Sequence, residues 1–217
     1  MRARSRWEIP LILLVAVLLV LGFTAFIAKP FSIPSGSMES TLQVGDRVLV
    51  NRVVYHLRPI ERGDVIVFDG TDSFVPADSV PRRDPVTGLI AALGQSLGLM
   101  APDGSDFVKR VIGVPGDRVQ CCDVQGRLLV NGKPVDEPYL YAGDQPSTTP
   151  FNVIVPEGKL WVMGDHRSQS ADSRAHLGDP GGGMVPESKV IGEVMYVIWP
   201  PTHWGAVTAP DGYGKVS

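Results

Sequence analysis

The order of apolar and polar positions divides the chain into two unlike parts. Residues 9–28 are 20 consecutive residues without a charge. Twenty helical residues extend about 30 Å, the thickness of a bilayer core, and a helix satisfies its own backbone in lipid. The run has no polar face, which argues against a helix lying on a soluble core. Arg2, Arg4, Arg6 and Trp7 precede it, and Lys29 and Pro30 end it. Basic residues on one side predict a single-pass helix with its N-terminus inside and everything after Lys29 on the extracytoplasmic side of the plasma membrane. A cleavable leader needs small residues before its cut, and Phe26-Ile27-Ala28 puts a bulky aromatic there.

Beyond Lys29 the pattern shortens to strand length. Residues 31–42 read as a loop of small and polar residues, and 47–54 and 64–68 as strands parted by Pro59 and Gly63. Residues 69–105 break the pattern, although apolar positions between Leu89 and Met100 recur at helical spacing and predict a short amphipathic helix. Strands are predicted again at 106–114, 118–123, 127–130, 152–155, 159–163 and 192–199. Asn131-Gly132 is the signal of a two-residue hairpin, because both central residues of a type I′ turn need positive φ.

The fold class predicted is therefore mainly β: a cytoplasmic stub (1–8), one transmembrane helix (9–28), then an antiparallel sheet domain with a smaller β subdomain. The larger sheet is assigned 29–117 and 160–200, with 69–105 as an insertion. The subdomain takes 118–159, and 201–217 form a loose tail rich in Pro and Gly.

Composition and charge change this picture little. Gly 24 and Pro 19 suit many short strands, and a net charge of −3 gives no reason to expect a nucleic-acid partner. Cys121 and Cys122 are adjacent, in a compartment that permits disulfides. A strand points neighbours to opposite faces, so buried thiols are favoured over a mutual bridge that needs backbone distortion, and both stay open. No Cys/His spacing suggests a metal, and no cofactor is implied.

Candidate chemistry lies in three segments. Ile33-Pro34-Ser35-Gly36-Ser37-Met38 sets two hydroxyls around a glycine, a turn able to hold a nucleophile beside backbone N–H donors. Phe107-Val108-Lys109-Arg110-Val111 puts a lysine in an apolar strand, sharing a face with Phe107 and Val111. Burial there would lower its pKa from about 10.4 toward that of a base, whereas the Arg110 guanidinium stays protonated. The third, residues 164–174, is a dense polar cluster in which Asp172 and Arg174 can pair and Ser170 can orient an amine. His166 beside Asp165 raises a Ser-His-Asp arrangement, but adjacent residues make a poor triad pair.

Together, SGSM with TL-x-x-GD-x-V-L-V after it, KRVIGVPGD, and GD-x-R-x-x-SADSR resemble the signature boxes of the bacterial type I signal peptidases, in order and behind a membrane helix. The resemblance covers the helix, most of 33–68, and 106–117 and 160–199. It implies a serine endopeptidase that removes signal peptides from secreted preproteins through an acyl-enzyme, with Ser37 as nucleophile and Lys109 as base. It also implies an oxyanion hole from Ser35 and the Ser37 N–H, with Ser170 orienting the lysine. Asp172, Arg174, Asp165 and Arg167 would support the site. Ile33, Pro34, Met38, Leu42, Phe107 and Val108 would line shallow pockets for small residues at positions −1 and −3. The partners expected are such preproteins and the phospholipid membrane, with the chain acting as a monomer. A Ser/Lys self-cleaving repressor shares the dyad but not the membrane helix. A non-enzymatic envelope domain would have no use for both Ser37 and Lys109.

Overall fold

The computed structural model describes residues 8–76 and 105–210. Arg2, Arg4, Arg6 and Trp7, the amphipathic helix predicted near residues 89–100, and the last part of the tail lie outside them. Helix α1, Glu8–Phe26, is 19 residues of nearly uniform hydropathy with Pro10 in its first turn, where no intrahelical N–H is lost. Among the described residues no helix is long and apolar enough to cross a membrane. The uncharged run is not helical throughout, because Ala28 is taken into a sheet and is buried there.

That sheet begins earlier than expected. β1, Ala28–Ser32, replaces the predicted start of a loop. It pairs antiparallel with β2, Arg47–Asn51, from Ala28↔Asn51 to Ser32↔Arg47. Pro30 is tolerated because β1 is an edge strand and needs no donor on its outer side. β3 is Val65–Asp69, β4 Asp106–Gly113, β9 Lys159–Met163, β10 Val185–Pro186 and β11 Val190–Trp199. The sheet order is β1-β2-β11-β3-β4-β9-β10. The last long strand thus sits between two of the first, with register shifts beside Gly192. The stretch after Pro200 is not wholly loose: a 3₁₀ turn, Pro201–His203, leads to β12, Gly205–Ala206, which pairs with β11.

A second sheet of four strands runs β7-β6-β5-β8. β5 is Arg118–Cys121, β6 Leu129–Val130, β7 Lys133–Pro134 and β8 Phe151–Ile154. Asn131 and Gly132 turn β6 into β7 with φ of 53° and 77°, as their sequence requires. Cys121 and Cys122 are bonded to each other across a cis peptide, which corrects the preference for free thiols. Their Cα atoms lie 3.0 Å apart, so the backbone does not hold them on opposite faces.

Three apolar clusters hold the sheets. One, with Ile112, Val119, Val130, Trp161 and Met163, joins the two sheets. A second, with Phe31, Val48, Val50 and Val67, backs the turn that follows β1. A third, with Ile66, Phe68, Val111 and Val162, covers the other face of β3, β4 and β9. Asp117 pins the junction between the sheets. It is buried, accepts from Arg62 Nε and Nη2 at 2.6 Å each, from Val114 N at 2.9 Å, and from Asn131 Nδ2 at 2.9 Å. Burial pushes its carboxyl up, but these donors outweigh burial and hold it below the ordinary range. Its contribution is therefore present above the unfolded pKa of about 3.9 and is lost as pH falls through the lower folded value. Asp117→Asn should cost about 2 kcal/mol in urea unfolding at pH 7. The gap to the parent should begin to close below about pH 4, where the unfolded chain takes up the proton, and vanish once the folded carboxyl is protonated as well.

Candidate active site

β4 carries the lysine. Lys109 pairs with Ile66 across the β3–β4 ladder, and its neighbours on that face, Phe107 and Val111, belong to the third apolar cluster. The side chain is 4% exposed and the Lys109 Nζ lies 2.7 Å from Ser37 Oγ. Ser37 is itself 7% exposed and sits in a 3₁₀ turn, Gly36–Met38, that directly follows β1. The turn is short because Glu39 N and Thr41 N already close on Gly36 O and Met38 O, and its apolar side, Met38 and Leu42, is buried in the second cluster. A serine and a lysine 72 positions apart thus meet in a dry place.

The charge state follows from that burial. Desolvation pushes Lys109 down to about 8, against the opposing pull of Asp172 and Asp165. Burial also pushes Asp172 up, but Arg174 and the Gly164 N–H outweigh it and the carboxyl ends below its ordinary range. Asp172 accepts from Arg174 Nε at 2.9 Å, Arg174 Nη2 at 2.8 Å and Gly164 N at 3.0 Å. Both carboxylates near the lysine therefore have cations of their own.

Asp165 is the other. It is fully buried and takes a two-pronged pair from Arg110, Nε to Oδ1 at 2.9 Å and Nη2 to Oδ2 at 2.6 Å. Thr41 Oγ1 donates to the same carboxylate, and Arg110 Nη1 reaches Gly63 O at 2.8 Å. Arg167, also buried, donates to Gly164 O at 2.7 Å and Pro146 O at 2.8 Å and pairs with Glu137. The Tyr139 ring lies 4.1 Å from the Arg110 guanidinium. Arg110, Thr41, Glu137 and Tyr139 are site residues that sequence reasoning missed. A second cation in an apolar strand was the one visible signal, for Arg110.

The two loops touch through backbone. His166 N donates to Ser37 O at 3.1 Å, and a Cβ on Gly164 would collide with that oxygen and with the Ser170 hydroxyl, so glycine is required by close approach. Ser170 Oγ is buried beside the Asp172 carboxylate, which it helps to hold down, and the Lys109 amine bonds Ser37. Ser35 is exposed at the head of the 3₁₀ turn. Ser37 Oγ meets Lys109, while the His166 ring turns to Glu39, Nδ1 to Oε2 at 3.0 Å, so the His166–Asp165 neighbourhood forms no triad with Ser37. Of the expected pocket residues, Ile33, Met38 and Leu42 are core, at 3%, 1% and 0% exposed. That leaves Pro34, Phe107 and Val108 with surface to offer. No cluster of metal-ligating side chains occurs among the described residues.

The model of the family described as signal peptidase, peptidase S26, matches residues 6–199. A probable signal peptidase I of Mycobacterium leprae is 40% identical, covering 93% of this chain and 78% of its own length. Signal peptidase IB of Staphylococcus aureus (strain COL) is 32% identical, covering 89% of this chain and 88% of its own. A crystal structure of a signal peptidase I from Enterococcus faecalis V583 aligns with TM-score 0.40 at 25% identity, over 63% of this chain and 97% of that one. With a family match from residue 6 to residue 199 and relatives of this kind over about nine-tenths of its length, the chain belongs to the type I signal peptidases of the peptidase S26 family.

Proposed function

We propose that the chain cleaves signal peptides from preproteins with Ser37 and Lys109 as a Ser/Lys dyad, held at a membrane by the helix at its N-terminus. The observation that carries this reading is the buried 2.7 Å contact between Lys109 Nζ and Ser37 Oγ. A serine hydroxyl is a weak nucleophile until a base takes its proton during attack. A lysine pushed down to about 8 is neutral in about one molecule in ten at pH 7, against far fewer for a free lysine, and can serve as that base.

In the first step Ser37 Oγ bonds to the carbonyl carbon of the residue before the cut, its proton passes to Lys109 Nζ, and the carbonyl electron pair moves onto oxygen. The Ser37 N–H and the Ser35 hydroxyl would hold that oxyanion. Lys109 then gives its proton to the departing amine, the C–N bond breaks, and an acyl-enzyme remains on Ser37. Water, deprotonated by the same lysine, releases the acid and restores the hydroxyl. Ser170, with its buried oxygen beside Asp172, is the group we assign to orient the lysine once it is charged.

Pro34, Phe107 and Val108 flank the dyad and would receive small side chains at −1 and −3. Membrane attachment and an inside N-terminus rest on the uncharged run 9–28 with Arg2, Arg4 and Arg6 before it. β1 leaves the end of that run directly for the nucleophile, so a lipid-held signal peptide would meet the dyad close to the surface. Every group invoked comes from one chain, which suits a monomer.

Ser37→Ala and Lys109→Met should each lower kcat on a preprotein in detergent by at least about 100-fold, the usual contribution of a positioned base. Full activity in either variant sinks the dyad. The parent's kcat/KM should rise tenfold per pH unit and level off above about 8, as the free enzyme's lysine loses its proton. A profile flat from pH 6 to 9 would exclude a neutral-lysine base. On the membrane side, the full chain should stay in the pellet after alkaline carbonate extraction, and a chain beginning at Ala28 should be released.

A further inference from the structure

His166 stands in the third box between Asp165 and Arg167, but its side chain turns away from their charged pairs. Its Nδ1 meets Glu39 Oε2 at 3.0 Å, and its ring stacks on Tyr141 with centroids 3.8 Å apart and planes 13° from parallel. The same residue's N–H holds the Ser37 carbonyl at 3.1 Å. Glu39 in turn follows Ser37 by two residues, and its carboxylate lies against Gly36, where a Cβ would come within 2.9 Å of it. The imidazole is thus gripped from one side by the turn that carries the nucleophile. From the other side it is gripped by the segment that joins β7 to β8 in the small sheet.

That segment is tied to both catalytic loops. Tyr141 N donates to Asp165 O at 3.1 Å, Ser168 N donates to Asp144 Oδ2 at 3.0 Å, and Ser40 Oγ donates to Tyr139 O. Rotation of the 166 peptide would therefore move the Ser37 carbonyl, and with it the hydroxyl that must stay aligned with Lys109. Misplacement by about 1 Å at a reacting atom can cost on the order of 100-fold in rate.

We propose that His166 is a positioning residue for the nucleophile: its ring, clamped between Tyr141 and Glu39, fixes the peptide that holds the Ser37 carbonyl. The proposal rests on the dyad reading above. It assigns no proton transfer to the imidazole, which hydrogen-bonds a carboxylate rather than the serine.

The test uses the full chain in detergent with two probes, a signal-sequence peptide and a small fluorophosphonate that phosphonylates an activated serine without needing peptide contacts. Glu39→Ala, His166→Ala and Tyr141→Ala should each slow kcat and the fluorophosphonate rate about tenfold, with KM within twofold of the parent. Tyr141→Phe keeps the ring and Glu39→Gln keeps an acceptor, and both should restore at least half of the parental rate. Because the three groups act as one clamp, Glu39→Ala/His166→Ala should be no slower than the worse single variant. Thermal midpoints within about 2 °C of the parent would show that the rate loss is not unfolding. A rise in KM alone would overturn the proposal in favour of a subsite for the mature part of the substrate. Unchanged rates with both probes, or additive losses, would overturn it outright. Retained phosphonylation in Ser37→Ala would instead mark failure of the dyad reading itself.

Discussion

The site hangs on the buried pair between Arg110 and Asp165. Arg110 stands next to Lys109 on β4, and Asp165 lies between Gly164 and His166, the two residues in contact with the Ser37 carbonyl. Thr41, three residues beyond the turn that carries Ser37, bonds the same carboxylate. Three segments far apart in sequence are thus locked at a single point. Removing one partner of such a pair strands a charge in a dry interior, at a cost of about 3–5 kcal/mol. The two-pronged geometry makes the junction directional as well as strong, because a guanidinium fork fits a carboxylate in one plane.

This pairing also sets the electrostatics around Lys109. A buried ammonium is disfavoured by desolvation, but two carboxylates nearby would favour it again. Arg110 on Asp165 and Arg174 on Asp172 keep each carboxylate occupied. Desolvation then wins, and the lysine ends low enough to act as a base near neutral pH. The arginines thus help to set the charge state of Lys109, although neither can exchange a proton itself.

The small sheet acquires a role from the same contacts. The loop from β7 to β8 carries Glu137, Tyr139, Tyr141 and Asp144, which meet Arg167, Arg110, His166 and Ser168 in turn. Asp117 ties the entry of that sheet to Arg62 in the large one. The subdomain is therefore tied down at its entry and through the β7–β8 loop, which packs against the loops around Ser37 and Asp165.

Local chemistry was legible in the residues alone. Alternation placed most strands to within a few positions, Asn131-Gly132 declared its hairpin, and Lys109 was assigned to a face shared with Phe107 and Val111. These features depend on neighbours a few residues away, so a linear pattern contains them. β1 escapes the linear pattern, which gives Ala28 to the helix and Phe31 and Ser32 to a loop, because its five residues lack strand periodicity and are held by β2. What the tertiary structure decided is everything that depends on distant partners. The insertion of β11 between β2 and β3 is one case, and the burial of Ile33, Met38 and Leu42 in the core is another. So are the Arg110–Asp165 and Arg167–Glu137 pairs and the meeting of Ser37 with Lys109. A serine and a lysine in a sequence carry ordinary pKa values. Only packing that excludes water and pairs away the nearby charges can make one of them a base for the other.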